Sequence, residues 1–164
     1  MPRLRSEKAA KLLSEAKRHV SIADNMFTYA ASVTDSFKVY ISCISHLKEA
    51  AILMAKAALE NEAYFKRILF IPTNEKLLLK TFLDRFDEKL GISLLDKKHL
   101  KEINYIYETY KSRETGMKRG DSYIVISANF DIVSLDRSQI KNYLMTMKSL
   151  ATKLEDWLRD QYLE

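Results

Sequence analysis

Residues 37–69 read FKVYISCISHLKEAAILMAKAALENEAYFKRIL and contain no glycine or proline. Within this stretch, apolar side chains recur at alternating steps of three and four residues, a spacing that places them on one face of an α-helix. At a rise of about 1.5 Å per residue, such a helix would be roughly 50 Å long. We therefore predict a central helix whose buried stripe consists of Phe37, Tyr40, Ile44, Leu47, Ala51, Met54, Ala58, Phe65 and Ile68.

The preceding residues 6–33 show the same spacing and predict a first helix, for which Ser6 is a suitable N-cap. Only the cluster Thr34, Asp35 and Ser36 separates this helix from the central one. Two long helices joined by so short a link must fold back on each other. The N-terminal part of the chain is therefore predicted to be a long antiparallel helical hairpin.

Three further helices are predicted after Pro72, because the polar cap residues Asn74, Asp96 and Asp136 each precede an apolar periodic segment. Before the last of them, the β-branched residues 123–126 predict a strand, which pairs with residues 130–133 in a small β-hairpin. The predicted fold is all-α: an up-and-down bundle of about five helices with a long N-terminal helical hairpin and a small β-hairpin before the last helix. Its 164 residues suit a single domain.

The chain is moderately basic, with a formal net charge of +5. This charge has two interpretations: an ordinary charged surface, or attraction to RNA or another polyanion. The single cysteine, Cys43, cannot form an internal disulfide, which fits a reducing compartment. The apolar runs are too short for a signal peptide or a membrane span. We expect a cytoplasmic protein with no membrane partner.

Motifs for catalysis, metal binding and cofactor binding are missing from the sequence. It has no paired-cysteine motif, no Walker or dinucleotide loop and no nucleophile elbow. The predicted hairpin brings His19 and His46 within about two helical turns of each other. Because both flank apolar stripes, they are interpreted as residues at the core boundary. We predict no catalytic residue, no metal ligand and no cofactor.

Residues 111–121 interrupt the helical periodicity and form a candidate binding loop, since long loops in compact domains are often functional. Tyr110 and Tyr123 lie at its edges and could stack on bases, while its basic side chains contact phosphates. In the alternative interpretation, Glu114 and Asp121 form ion pairs that hold the loop on the bundle. The predicted nucleic-acid-binding residues are Lys111, Arg113, Lys118, Arg119 and Tyr123.

This order of elements, a long helical hairpin followed by a loop toward the end of the bundle, resembles the HEPN-like superfamily of prokaryotic helical bundles. Active members of that superfamily are RNases in which an arginine is followed, after four to six residues, by a histidine. None of His19, His46 and His99 has an arginine at that distance before it. The resemblance therefore implies a binding or partner role without the RNase chemistry.

Three hypotheses follow from the sequence. The first is a non-catalytic module that binds RNA or a protein partner through residues 111–121. The second is a nuclease-type enzyme that uses Arg113, Arg119 and a histidine brought close by the fold. The third is self-association as a homodimer, either through the strand edge at residues 123–127 or through the last helix at Trp157, Tyr162 and Leu163.

Overall fold

The computed structural model describes residues 6–30, 33, 36–113, 117–127 and 129–160. Within these residues the chain forms five α-helices, and a small antiparallel sheet precedes the last of them. The predicted helical bundle is therefore confirmed. Its elements are α1 (Glu7–Asn25), a π-helical turn (Met26–Ala30), α2 (Phe37–Tyr64), α3 (Glu75–Phe86), α4 (Leu94–Arg113), β1 (Met117–Arg119), β2 (Ser122–Ile126), β3 (Ile132–Leu135) and α5 (Arg137–Asp160).

Helices α1 and α2 form the predicted antiparallel hairpin. Near the start of α1, Lys8 lies 2.8 Å from Glu60, close to the end of α2. Near the end of α1, the Ala23 carbonyl oxygen lies 3.5 Å from Sγ of Cys43, close to the start of α2. Regular α-helical geometry ends at Asn25, where the chain continues as the π-helical turn Met26–Ala30. Val33, at the predicted end of the first helix, is helical. The linking residues Thr34 and Asp35 lie outside the described residues.

Helix α2 is the central element, and α1, α3, α4 and α5 all pack against it. Its predicted stripe is buried from Tyr40 to Ala58, and Ile44, Leu47 and Met54 are fully inaccessible to solvent. The outer members of the stripe, Phe37, Phe65 and Ile68, are half-buried. Small side chains occupy the middle of the helix and let the neighbouring helices approach closely; they are Ala50, Ala51, Ala55, Ala57 and Ala58. Among the described residues, no helix has the combination of length and apolar character needed to cross a bilayer.

The C-terminal end of α2 differs from the prediction, since the helix ends at Tyr64 and not at residue 69. Lys66 adopts a left-handed backbone conformation with φ of 59°. The Arg67 amide donates to the Glu62 carbonyl at 2.9 Å, and the Lys66 amide donates to the Ala63 carbonyl at 3.0 Å. These two bonds form a Schellman cap, which usually contains glycine at the left-handed position. Because this position is a lysine and not a glycine, the sequence does not indicate that the helix ends here.

The predicted β-hairpin is part of a three-stranded sheet with the order β1-β2-β3. The additional strand, β1, lies inside the stretch predicted to be a loop, so residues 111–121 are the end of α4, β1 and the turn into β2. Because β2 pairs with both neighbours, residues 123–126 are a central strand. The prediction that they form an exposed strand edge is therefore wrong; the free edges belong to β1 and β3.

Candidate functional site

The basic residues predicted to bind nucleic acid lie where α4 ends and the sheet begins. Lys111 is exposed on the last turn of α4, and Arg113 is the final residue of that helix. Lys118 and Arg119 are consecutive and exposed on β1. In the register of the sheet, Lys118 is opposite Tyr123 and Arg119 is opposite Ser122. Since neighbouring side chains of a strand point to opposite faces of the sheet, Lys118 and Arg119 extend from opposite faces.

Tyr123, in contrast, is a core residue of the sheet. Its side chain is only 4% exposed. The ring lies 5.0 Å from the ring of Tyr40 and 5.5 Å from that of Phe37, measured between centroids. Phe37 also contacts Tyr110 at 5.5 Å. The expectation that Tyr123 offers an exposed face to a nucleic-acid base is therefore wrong, because α2 already covers that ring.

This aromatic cluster holds the sheet on the bundle. Phe37 and Tyr40 belong to the first turn of α2, Tyr110 to the end of α4 and Tyr123 to β2. Aromatic pairs at these separations stabilise a contact beyond the area that they bury. The basic strand β1 is therefore joined to a sheet with a fixed position on the helices. The sequence signal for this role was the alternation of Tyr123 with Val125, both of which face inward.

Two further observations concern the charge at this end of the bundle. Lys38 is exposed beside Phe37, outside the segment predicted to bind nucleic acid. Asp121 is exposed in the turn between β1 and β2, while Glu114 lies outside the described residues. The alternative interpretation, in which ion pairs of Glu114 and Asp121 hold this segment, therefore stays a hypothesis.

The histidines lie in two places elsewhere in the bundle. Nδ1 of His19 and Nδ1 of His46 are 2.9 Å apart across the α1–α2 hairpin, so the proximity expected from the sequence is confirmed. Burial, the charge of His19 and the charge of Arg18 all lower the pKa of His46. Nδ1 of His99 lies 2.7 Å from Oγ1 of Thr146. In the part of the chain that the structure describes, no three His, Cys, Asp or Glu side chains group as metal ligands would.

A second charged cluster stabilises the end of α2. The Glu62 side chain is fully buried and lies 3.0 Å from Arg67, 3.6 Å from Arg85 and 3.7 Å from Lys89. Each of the three cations is about two-fifths exposed. A buried carboxylate is unfavourable unless cations or hydrogen bonds compensate its charge. We interpret this cluster as a structural tie between α2, the turn after it and the end of α3.

The chain matches no known protein family, no curated protein and no solved structure. The HEPN-like resemblance therefore stays a prediction.

Proposed function

We propose that the chain is a non-catalytic binding module that holds the phosphate backbone of RNA against β1 and the end of α4. The observation that carries the proposal is the exposure of two consecutive cations, Lys118 and Arg119, on a strand whose sheet is fixed to the bundle. A strand held by core contacts presents its charges without the full entropic cost of ordering a free loop. Lys111, exposed on the last turn of α4, adds a third cation nearby.

The expected mode of recognition is contact with phosphates rather than with bases. Lysine and arginine neutralise phosphates and carry no sequence information in doing so. The ring that the sequence predicted to stack on bases, that of Tyr123, is covered by Phe37 and Tyr40. Binding should therefore be independent of sequence, weak and strongly dependent on salt.

The positions of the histidines favour binding over a nuclease activity. Phe37 marks the place where α2 contacts the sheet. His46 is nine residues farther along α2, which corresponds to about 14 Å at the usual helical rise. General acid-base catalysis needs hydrogen-bond reach, or one bridging water, to the reacting group. His19 and His46 contact each other instead.

The test is a fluorescence-anisotropy titration with a short single-stranded RNA at low salt. We expect the double variant Lys118→Ala/Arg119→Ala to bind at least about tenfold more weakly than the unmodified chain, because it loses two of the three cations. The matched control is Lys11→Ala/Arg159→Ala, which removes the same charges from exposed helix positions at the other end of the bundle.

Two results would contradict the proposal: no RNA binding by the unmodified chain at low salt, or equal losses in both double variants. The first result would leave a protein partner as the alternative ligand of the same surface. The second would mean that net charge, and not β1, determines binding.

A further inference from the structure

An open groove runs between α3 and α4. Both helices pack on α2, and the space left between them is about 1,000 Å³. Its lining includes Leu79 and Leu83, while Leu94 is 84% exposed and Tyr105 is 49% exposed. Leu79 and Leu83 are buried, whereas Leu94 and Tyr105 present apolar surface to solvent from the same face of α4, about three helical turns apart.

Lysines dominate the charged lining of this groove. Lys76 and Lys80 lie on α3, and Lys97, Lys98 and Lys101 lie on α4. The lining contains fewer acidic residues, which are Asp84, Glu102 and Glu108. Lys97 donates a hydrogen bond to Asp87, and Lys98 lies 3.7 Å from Glu102. Glu102 also accepts a hydrogen bond from the Tyr143 hydroxyl at 2.7 Å.

Three of these lysines are available to a ligand. Counting only contacts between described residues, Lys76, Lys80 and Lys101 take part in no ion pair. They lie on both walls of the groove, with the apolar side chains between them. Counted in the same way, the acidic residues Asp84 and Glu108 of the two walls also take part in no ion pair, but the three lysines outnumber them. The groove therefore carries a net positive charge and is complementary to a ligand that is apolar along its centre and negatively charged at its sides.

An amphipathic helix with an acidic polar face has this distribution of properties. A helix of α3's length, 12 residues, spans about 18 Å, and helices are about 10 Å in diameter. A groove between two helices can therefore hold roughly three turns, with apolar anchors spaced three and four residues apart. A small molecule fits less well, because small-molecule sites usually enclose most of their ligand and this groove is open.

Single-stranded RNA is also a weaker candidate for this groove. Its bases bind best to exposed aromatic rings, and Tyr105 is the one aromatic side chain among the described residues of the lining. Leucines offer no comparable stacking surface. We propose that the groove between α3 and α4 binds an amphipathic helix of a partner protein. Its leucine-like anchors would contact Leu94 and Tyr105, and its acidic side chains would contact Lys76, Lys80 and Lys101.

The test uses a synthetic probe, since the partner is defined here by its chemistry. The probe is a fluorescein-labelled 14-residue peptide with leucines on one helical face and glutamates on the other. A scrambled peptide of the same composition and a version with lysine in place of glutamate serve as ligand controls. Anisotropy titrations with the full chain should show binding of the acidic amphipathic peptide, and at least about tenfold weaker binding of both controls.

Protein variants locate the binding site. Lys80→Glu/Lys101→Glu should weaken peptide binding at least about tenfold, because it places like charges beside the glutamates. Leu94→Ser, at a highly exposed position, should weaken it without unfolding the chain. The control Lys11→Glu/Arg159→Glu makes the same change in net charge away from the groove. Circular dichroism checks that every variant keeps its helical content.

Several outcomes would overturn this proposal. They are failure of the amphipathic peptide to bind at hundreds of micromolar, equal binding of the scrambled peptide, and equal affinities of the groove and control variants. RNA binding that depends on Lys80 and Lys101 would instead make the groove a nucleic-acid surface. A solution mass near twice 19.1 kDa that returns to monomer in Leu94→Ser would make it an interface between two copies of this chain.

The peptide-binding experiment tests the groove independently of the proposal that β1 binds RNA. Lys118→Ala/Arg119→Ala changes β1 and should leave peptide binding unaltered, whereas Lys80→Glu/Lys101→Glu should leave the contribution of β1 to RNA binding in place. Failure of either proposal can therefore be recognised without reference to the other.

Discussion

Replacing Tyr123 by alanine removes the side chain that joins the sheet to the start of α2. The ring is 4% exposed and contacts the rings of Phe37 and Tyr40. Truncation of a buried aromatic side chain to alanine typically costs about 3–5 kcal/mol, and aromatic pairs of this geometry account for about 0.5–1.5 kcal/mol beyond the buried area. We therefore expect Tyr123→Ala to lower the free energy of unfolding by about 3–5 kcal/mol. The loss of stability should be measured by urea denaturation followed by circular dichroism.

Phe130→Ala is the matched control, because it also truncates an aromatic side chain of the β2–β3 region, but one that is 78% exposed. Surface substitutions of this kind usually change stability by less than about 0.5 kcal/mol. If both variants lost the same amount, or if Tyr123→Ala lost less than about 1 kcal/mol, the aromatic cluster would not be what fixes the sheet. In that case β1 would not be a rigidly presented strand.

Two further predictions concern pH and helix caps. The pKa of His46 is lowered in the folded chain. As the pH falls through the ordinary histidine pKa of about 6.5, the unfolded chain therefore takes up a proton before the folded chain does. The contribution of His46 to stability should be complete above that pH and should decrease as the pH is lowered through it. Denaturation midpoints at pH 7.5 and 5.5 check this, and a His46→Gln variant should show a smaller pH effect; an equal effect in the variant would contradict the assignment. Lys66→Gly should stabilise the chain by about 0.5–1 kcal/mol and Gly91→Ala should destabilise it by about 1 kcal/mol, since both positions have a left-handed backbone with φ near 60°. Thermal denaturation measures the change in stability of each variant. A stabilising effect of Gly91→Ala would contradict the assignment of a left-handed backbone at this position.

Much of the helical architecture could be predicted because it depends on local sequence. Two predicted caps are present: Ser6 accepts from the Ala9 amide, and Asn74 accepts from the Leu77 amide. The prediction that Asp96 caps α4 is wrong, because Asp96 lies in the first turn of that helix and its amide donates to the hydroxyl of Ser93, which precedes the helix. Asp136 and Gln139 exchange side-chain-to-backbone hydrogen bonds at 2.8 Å, as the spacing of a capping box indicates. These features need only neighbouring residues, so one sequence is enough to recognise them.

The errors arise where distant residues determine the structure. Residues 117–119 have no β-branched or aromatic pattern, and they form a strand because β2 supplies its hydrogen-bonding partners. Tyr123 was expected to be exposed because the ring that covers it, Phe37, lies far away in the sequence. The groove between α3 and α4 depends on the relative placement of two helices on α2, which periodicity cannot specify.

The salt dependence of RNA binding tests the central proposal most directly. For single-stranded nucleic acid, each phosphate neutralised by the protein contributes about −0.7 to the slope of log affinity against log salt concentration. With Lys111, Lys118 and Arg119 in contact, we expect a slope of about −2 for the unmodified chain and about −0.7 for Lys118→Ala/Arg119→Ala. The control Lys11→Ala/Arg159→Ala should keep the slope of the unmodified chain. Equal slopes for all three proteins would contradict the proposal that β1 binds the phosphate backbone.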